Sequence, residues 1–448
     1  MLSACGRGLT GAGIGAMKTR RRWFFSAILV QIAWLVGPAT AQGAEVRHAG
    51  FNYDEAKVPA YTLPDVLTGL DSVKVNDVKT WQTRRRPELL GLFADQMYGR
   101  TPTGKVAVRV EQVREELALD GLARRKQLRL VFEGNGVTRH VDVLMYLPAK
   151  AGGPVPAFVG LNFNGNHTVH SDPGIALPTT WVRDDPKKGV VGNRATDRTR
   201  GVEASRWQVE KVVGRGYAVV TAYYGDIFPD RADGRRDSVT ALFPGELGAS
   251  DWNAVGAWAW GLSRIADYLV GAGEIDARRI AVHGHSRLGK AALWAGAQDE
   301  RFALVISNNS GEGGAALARR GFGETTRRIN TVFPHWFSGA FKAYNDREAA
   351  LPFDQHALLA LVAPRPLYVA SATEDQWADP RGEYLAAHHA GPVYALLGKI
   401  GVGGAESPAP DRPVGDVVAY HLRTGGHDIM DYDWARYLEF ADRHFSKR

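Results

Sequence analysis

Ala281-Val-His-Gly-His-Ser-Arg-Leu-Gly-Lys290 is the stretch that decides how this chain is read. A short apolar segment of strand character, Arg279-Ile-Ala-Val-His283, leads into it. Leu288-Gly-Lys-Ala-Ala-Leu-Trp294, rich in good helix formers, leads out. Strand, Gly-x-Ser turn and helix in succession force a serine into a tight, strained turn. There its hydroxyl stands clear of the sheet and the following N–H can bind an oxyanion. Small residues beside such a serine let the strand and helix backbones approach closely. The usual pattern is G-x-S-x-G, and here Leu288 holds the second glycine's place, with Gly289 one residue later. An ordinary strand-to-helix turn is the competing reading of this stretch alone.

A serine hydroxyl is a weak nucleophile and needs a histidine base, which in turn needs an acid to orient it. In a fold of this kind the chain order is serine, acid, histidine. His427 fits the base: it lies in Thr424-Gly-Gly-His-Asp428, between an expected last strand (417–422) and an expected C-terminal helix (433–445). Of the 13 histidines, only His427 has that setting. Two loops offer the acid. Ser307-Asn-Asn-Ser-Gly-Glu312 follows the strand expected after the nucleophile, and Ala372-Thr-Glu-Asp-Gln-Trp-Ala-Asp379 follows the next. Asp375 has the usual reach of a triad acid, about four residues past its strand. Glu312 could take its place, with Glu374 and Asp379 as solvated bystanders.

Around these residues the chain alternates strands and helices. Val106–Val110, Leu128–Phe132 and Val141–Leu147 alternate in polarity and read as antiparallel strands; 156–163, 217–223, 302–307 and 366–371 read as more buried ones. Helices are expected over 77–98, interrupted at Pro87, over 207–214, and over 251–269 with Asp251 as N-cap. The tryptophans of that last helix are expected to be core. The loop Asn164-Gly-Asn-His-Thr168 is a place to look for a second oxyanion contact, and the polar insertion 173–201, carrying Trp181, could shape the rim of the site. The predicted architecture is an α/β-hydrolase fold, a three-layer α/β/α sandwich whose central sheet is mostly parallel, with antiparallel N-terminal strands.

Composition narrows the function. With 45% hydrophobic and 23% charged residues, the 448-residue chain can fill a large core. A basic run, Met17-Lys-Thr-Arg-Arg-Arg22, an apolar core from Trp23 to Val36 and the cleavage signal Ala39-Thr-Ala41 predict export, with a mature chain from near Gln42. That apolar core is short for a membrane span. Residues 1–41 are thus a signal peptide and upstream residues, 42–105 an accessory segment packed on the main domain, and 106–448 the catalytic domain. Arg7, Lys18, Arg20, Arg21 and Arg22 fall in the removed part, so the net charge of +7 drops by five to +2. That leaves no basis for nucleic-acid binding. The only cysteine is Cys5, so a mature chain has no disulfide, thiol nucleophile or cysteine-bound metal.

These residues resemble the glucuronoyl esterases, carbohydrate esterase family 15. The resemblance runs from about residue 140 to 445 and is carried by Gly284-His-Ser-Arg-Leu-Gly-Lys290, Ser307-Asn-Asn-Ser-Gly311, Gly323-Glu-Thr325, Phe333-Pro-His-Trp-Phe337, Ala363-Pro-Arg-Pro366, Glu374-Asp-Gln-Trp-Ala-Asp-Pro380 and Gly425-Gly-His427. The family's serine turn has the extra residue, which accounts for Leu288. The resemblance implies cleavage of the ester between (4-O-methyl-)D-glucuronic acid of glucuronoxylan and a lignin alcohol. It implies Ser286 as nucleophile, His427 as base and Arg287 as oxyanion donor. Lys290 and Glu324 would read sugar hydroxyls and Trp377 would line the sugar pocket. Many members carry a glutamate where this chain has Asn309, just before the Ser-Gly pair. Others place the acid after the following strand, so Asp375 is the expected acid and Glu312 the reserve.

No metal or organic cofactor is expected for such an acyl transfer. The expected partners are glucuronic acid esters of xylan and lignin–carbohydrate complexes, with no nucleic acid, no membrane after signal cleavage, and a monomeric protein. Another carbohydrate ester hydrolase, such as an acetyl xylan esterase, is one competing function. A carbohydrate-binding protein with a degenerate triad is the other.

Overall fold

The computed structural model describes residues 47–446, apart from 105, 244, 246 and 247, and the expected signal peptide lies outside the described residues. Strands β1 (Ala107–Ala118), β2 (Ala123–Gly134) and β3 (Val137–Pro148) form an antiparallel meander. β4 (Val155–Asn162), β5 (Ala218–Tyr223), β6 (Ile275–His285), β7 (Phe302–Asn308), β8 (Leu367–Ala372), β9 (Val414–Gly415) and β10 (Val418–Arg423) complete one sheet. Its order is β1-β2-β3-β5-β4-β6-β7-β8-β10-β9. From β5 to β10 every pairing is parallel, so six adjacent strands point their carboxyl ends to one edge.

The parallel strands are buried on both sides, and side-chain parity sorts them between two cores. Val159, Val305 and Val369 face a core shared with the helices Ala254–Gly271, Arg287–Gln298 and Pro380–His389. Phe158, Leu304, Ile306 and Tyr368 face a second core, with Val209, Val212 and Val213 and with Trp434, Tyr437 and Phe440 of the helix Asp431–Phe445. The outcome is the expected three-layer α/β/α sandwich of an α/β-hydrolase. Trp252, Trp258 and Trp260 are core residues, as expected.

Local expectations were met unevenly. The meander strands run well beyond the stretches of alternating polarity, because each pairs edge to edge over its whole length. Over 78–98 the chain is helical, with π-helical turns at Trp81–Arg85, two residues before Pro87, and at Ala94–Tyr98. The first of these wider turns accommodates a residue with no N–H to donate. Asp251 is not the N-cap of the long helix. That position is Asn253, and the first N–H groups are satisfied instead by main-chain carbonyls, Ala254 N–H to His335 O (2.9 Å) and Val255 N–H to Trp336 O (3.0 Å). Asp251 instead accepts from Gly248 N–H at 2.9 Å. Asp379 is no solvated bystander either: it is buried, caps the helix Pro380–His389 through Gly382 N–H and pairs with Arg320.

The described residues form one compact unit. Within it the N-terminal stretch is tied to the sheet's carboxyl edge. Asn52 O accepts from Gly323 N–H (2.8 Å), Glu55 pairs with Arg320 (2.5 Å) and Arg381 (3.2 Å), and His48, Phe51 and Tyr53 surround the Trp377 ring.

Backbones approach closely where β6 meets the helix Arg287–Gln298. A Cβ on Gly284 would stand 2.0 Å from Leu288 O. A Cβ on Gly289 would stand 3.0 Å from Ser310 Cβ and 3.1 Å from Gly284 O, so the second small residue is needed at 289, while the Leu288 side chain is buried in the core. Gly284→Ala is therefore expected to lower the unfolding free energy by about 3 kcal/mol, measured by urea titration.

Candidate active site

Four neighbouring strands deliver the candidate residues to one place. Ser286 follows β6, Asn309–Glu312 follow β7, Glu374–Trp377 follow β8 and His427 follows β10. Ser286, Arg287, Lys290, Asn309, Glu324, Phe333, Trp336, Glu374, Asp375, Trp377 and His427 share a cleft of about 510 Å³, together with His48 from the N-terminal stretch. That volume suits a small ligand. The residues expected from sequence thus come together, with one exception: Glu312 does not line the cleft.

Ser286 has φ +56° and ψ −129°, a conformation rarely tolerated by a side-chain-bearing residue. The strain is held by Ser286 N–H donating to Asn308 O (2.9 Å) and Ser286 O accepting from Gly289 N–H (2.9 Å). The turn leaves the serine at the head of a helix, with Arg287 its first residue, as a nucleophile elbow requires.

His427 Nδ1 is 2.6 Å from Asp375 Oδ2, and the Asp375 side chain is buried while the imidazole is 43% exposed. The same oxygen accepts from Asn309 Nδ2 at 2.7 Å. Asn309 therefore does not take the place of the candidate acid; it donates to it. Glu312 is directed elsewhere: it accepts from Thr326 Oγ1 (2.7 Å), and burial pushes its carboxyl well above the usual range. Beneath His427 lies His285, the ring centroids 4.5 Å apart. Burial, aided by the nearby His427, holds His285 well below its ordinary pKa, and its Nδ1–H donates to Asn308 Oδ1 (2.6 Å). It is a neutral floor for the base.

The cations of the cleft are braced from behind. Lys290 is buried and gives one N–H to Glu312 O (2.6 Å) and another to Ser310 O, which leaves one donor. Burial lowers its pKa, against the opposing pull of Glu324 and Glu312. Burial raises that of Glu324, against the pull of Lys290. The Arg287 guanidinium sits over the Trp336 ring, 4.9 Å from its centroid, and pairs with Asp230. Trp336 stacks on Phe333 at 3.8 Å and 6°.

Sequence reasoning missed Asp230 and His48, and gave His335 and Trp336 no role although the Phe333–Phe337 segment was noticed. Asp230 sits in a loop more than fifty residues before Arg287, so no spacing rule links them. Two stretches singled out in the sequence lie off the cleft lining. Residues 164–168 do not line the cleft; they form a structural turn in which Asn166 donates to Asp142 O (2.8 Å) and His167 Nε2 lies 2.5 Å from Thr199 Oγ1. The insertion 173–201 does not line it either, and its approach to the site is through Arg183, which donates to Asp230 O at 2.9 Å.

An α/β-hydrolase with this serine turn and an aspartate-bound histidine has the equipment of a serine ester hydrolase. Comparison with known proteins is more specific. The model of the family described as glucuronyl esterase, fungi, matches residues 208–398. A protein named carbohydrate esterase MZ0003, from an unknown prokaryotic organism, is 50% identical over 405 residues, 89% of this chain and 93% of its own. The structure of a promiscuous family 15 esterase from a marine bacterial metagenome superposes with TM-score 0.84 at 50% identity, covering 88% of this chain and 100% of the other. The glucuronoyl esterase from Solibacter usitatus gives 0.82 at 50% identity over 87% and 100%. The chain belongs to carbohydrate esterase family 15, the glucuronoyl esterases.

Behind the site, Glu383 organises the loop that carries Asn309. Its Oε1 accepts from Ser310 N–H (2.7 Å) and Gly311 N–H (2.9 Å), and its Oε2 from Ser371 Oγ (2.5 Å). Burial pushes its carboxyl up to about 7 despite those donors, from an ordinary 4.5. As pH rises the unfolded chain loses this proton first, so the stability tied to the protonated carboxyl is complete below pH 4.5 and lost as pH rises through 7. Glu383→Gln cannot titrate. Its stability relative to the parent is expected to rise by ~3 kcal/mol from the acid to the alkaline side of that window, read from urea unfolding at several pH values.

Proposed function

We propose that this protein hydrolyses the ester between (4-O-methyl-)D-glucuronic acid of glucuronoxylan and lignin alcohols, by acyl transfer through Ser286, His427 and Asp375. The observation that carries the proposal is the strained Ser286 sharing one cleft with the Asp375-bound His427 and with three charged groups, Lys290, Glu324 and Arg287. Ser286 Oγ attacks the glucuronoyl carbonyl as His427 Nε2 takes its proton. The Arg287 N–H and guanidinium receive the oxyanion as fixed donors aimed at the developing charge. The alcohol leaves with the proton from His427. A water, deprotonated by the same imidazole, then releases the uronic acid.

Asp375 fixes the Nδ1–H tautomer of His427 and balances the imidazolium, which Asn309 could not do. The remaining Lys290 donor and the Glu324 carboxylate suit sugar hydroxyls, and Trp377, enclosed by His48, Phe51 and Tyr53, supplies the apolar wall. The basic and apolar leader supports export to the periplasm or beyond, and among the described residues no helix is long and apolar enough to cross a membrane.

A second reading is hydrolysis of other carbohydrate esters such as acetyl xylan, and the metagenome relative, an esterase called promiscuous, favours it. Benzyl glucuronate and an acetyl ester of similar leaving-group pKa, assayed side by side, separate the two. The glucuronate is expected to be preferred, and Ser286→Ala to abolish its turnover. Asp375→Ala should lower kcat by about 10³–10⁴-fold, and Glu312→Gln by less than about tenfold. Activity confined to the acetyl ester would reverse the substrate assignment, and none on either would favour a binding protein.

A further inference from the structure

Asp230 takes no part in the chemistry described so far, yet its buried carboxylate meets four hydrogen-bonding side chains beside the cleft. Its side chain is 0% exposed. Oδ1 accepts from Trp336 Nε1 (2.8 Å) and lies 2.7 Å from His335 Nε2; Oδ2 accepts from Tyr224 OH (3.1 Å) and Arg287 Nη1. Burial alone would raise its pKa, but the His335 hydrogen bond and the Arg287 charge outweigh burial and hold it well below the usual carboxylate range. These donors favour the ionised carboxylate. Arg183 also approaches Oδ2, at 3.5 Å, but its side chain is 60% exposed and its charge is screened by water. At the cleft, then, Arg287 offers directed N–H donors as the partly exposed half of an ion pair whose carboxylate is buried, and the pair carries little net charge.

This matters because the reaction converts a neutral ester into a carboxylate. The developing oxyanion and the product anion occupy nearly the same place. The oxyanion is covalently fixed to Ser286, so short, directed hydrogen bonds can hold it. Free uronate is held mainly by net charge, and an unpaired guanidinium would retain it as a strong anion site. We propose that Asp230 is the counter-ion and positioning residue of Arg287, preserving its donors for the transition state while removing the charge that would trap the uronate product. The inference rests on the glucuronoyl ester reading. The other titratable groups facing the cleft are His48, Lys290, Glu324, Glu374, Asp375 and His427, and none of them is bonded to Asp230.

The full-length protein is titrated calorimetrically with D-glucuronate and with D-glucuronamide, its neutral isostere. Asp230→Asn is expected to raise the ratio of uronate to amide affinity by about tenfold. It should also tighten inhibition by uronate in the benzyl glucuronate assay. Mere structural damage would weaken both ligands and leave the ratio unmoved. An unchanged or lower ratio, or no uronate binding by the variant, overturns the inference. Should Asp230→Asn fail to fold, Arg287→Gln serves: Asp230 is then unopposed, and the ratio should fall by about tenfold or more. An unchanged ratio there is equally fatal. Turnover of benzyl glucuronate by the unmodified protein, lost in Ser286→Ala, tests the underlying reading separately.

Discussion

The contact on which the rest of the structure depends is the approach of the β6 backbone to the first turn of the helix that follows it. Gly284 has no room for a Cβ against Leu288 O, and Ser286 is held at a positive φ between them. Such a conformation costs on the order of 1–3 kcal/mol and persists only where its surroundings over-determine it. They do so here. The Ser286 main chain is bonded to β7 and to its own helix, and that helix is buried along nearly its whole length, from Leu288 through Trp294 to Ala297. Packing energy of the sheet and helix is thereby converted into a fixed serine hydroxyl.

Parallel strand order does the remaining assembly. Because β6, β7, β8 and β10 are neighbours with a common direction, the loops at their carboxyl ends meet without any long excursion. Serine, the Asn309 loop, Asp375 and His427 arrive from four separate stretches and need only short turns to face each other. A sheet edge of this kind is where α/β folds place ligands.

The polar groups of the site follow one pattern. Each candidate group is backed by a buried partner: His427 by Asp375, Asp375 by Asn309, Lys290 by two carbonyls, Arg287 by Asp230, and the Asn309 loop by Glu383. Burial makes these arrangements stiff, since an unmade hydrogen bond to a buried charge is expensive. The loop at Phe333–Phe337 serves twice, capping the helix Ala254–Gly271 with its carbonyls and presenting His335 and Trp336 to Asp230.

The amino-acid sequence by itself determined whatever is encoded locally. Periodicity marked the strands and helices, the Gly-x-Ser turn marked Ser286, and the glycine-bent loop marked His427, because tight turns restrict residue type over a few positions. It also brought out Asp375, Lys290, Glu324 and Trp377 through the resemblance of short segments. Only the tertiary structure decided what depends on distance through space. It turned Asn309 from a defect in the triad into a support for Asp375, sent Glu312 to Thr326, replaced Asp251 as a cap by distant carbonyls, and carried His48 from the N-terminal stretch to the cleft. Asp230 was invisible for the same reason. A buried carboxylate is sustained by the donors around it, and those donors meet only once residues far apart in the chain have packed together.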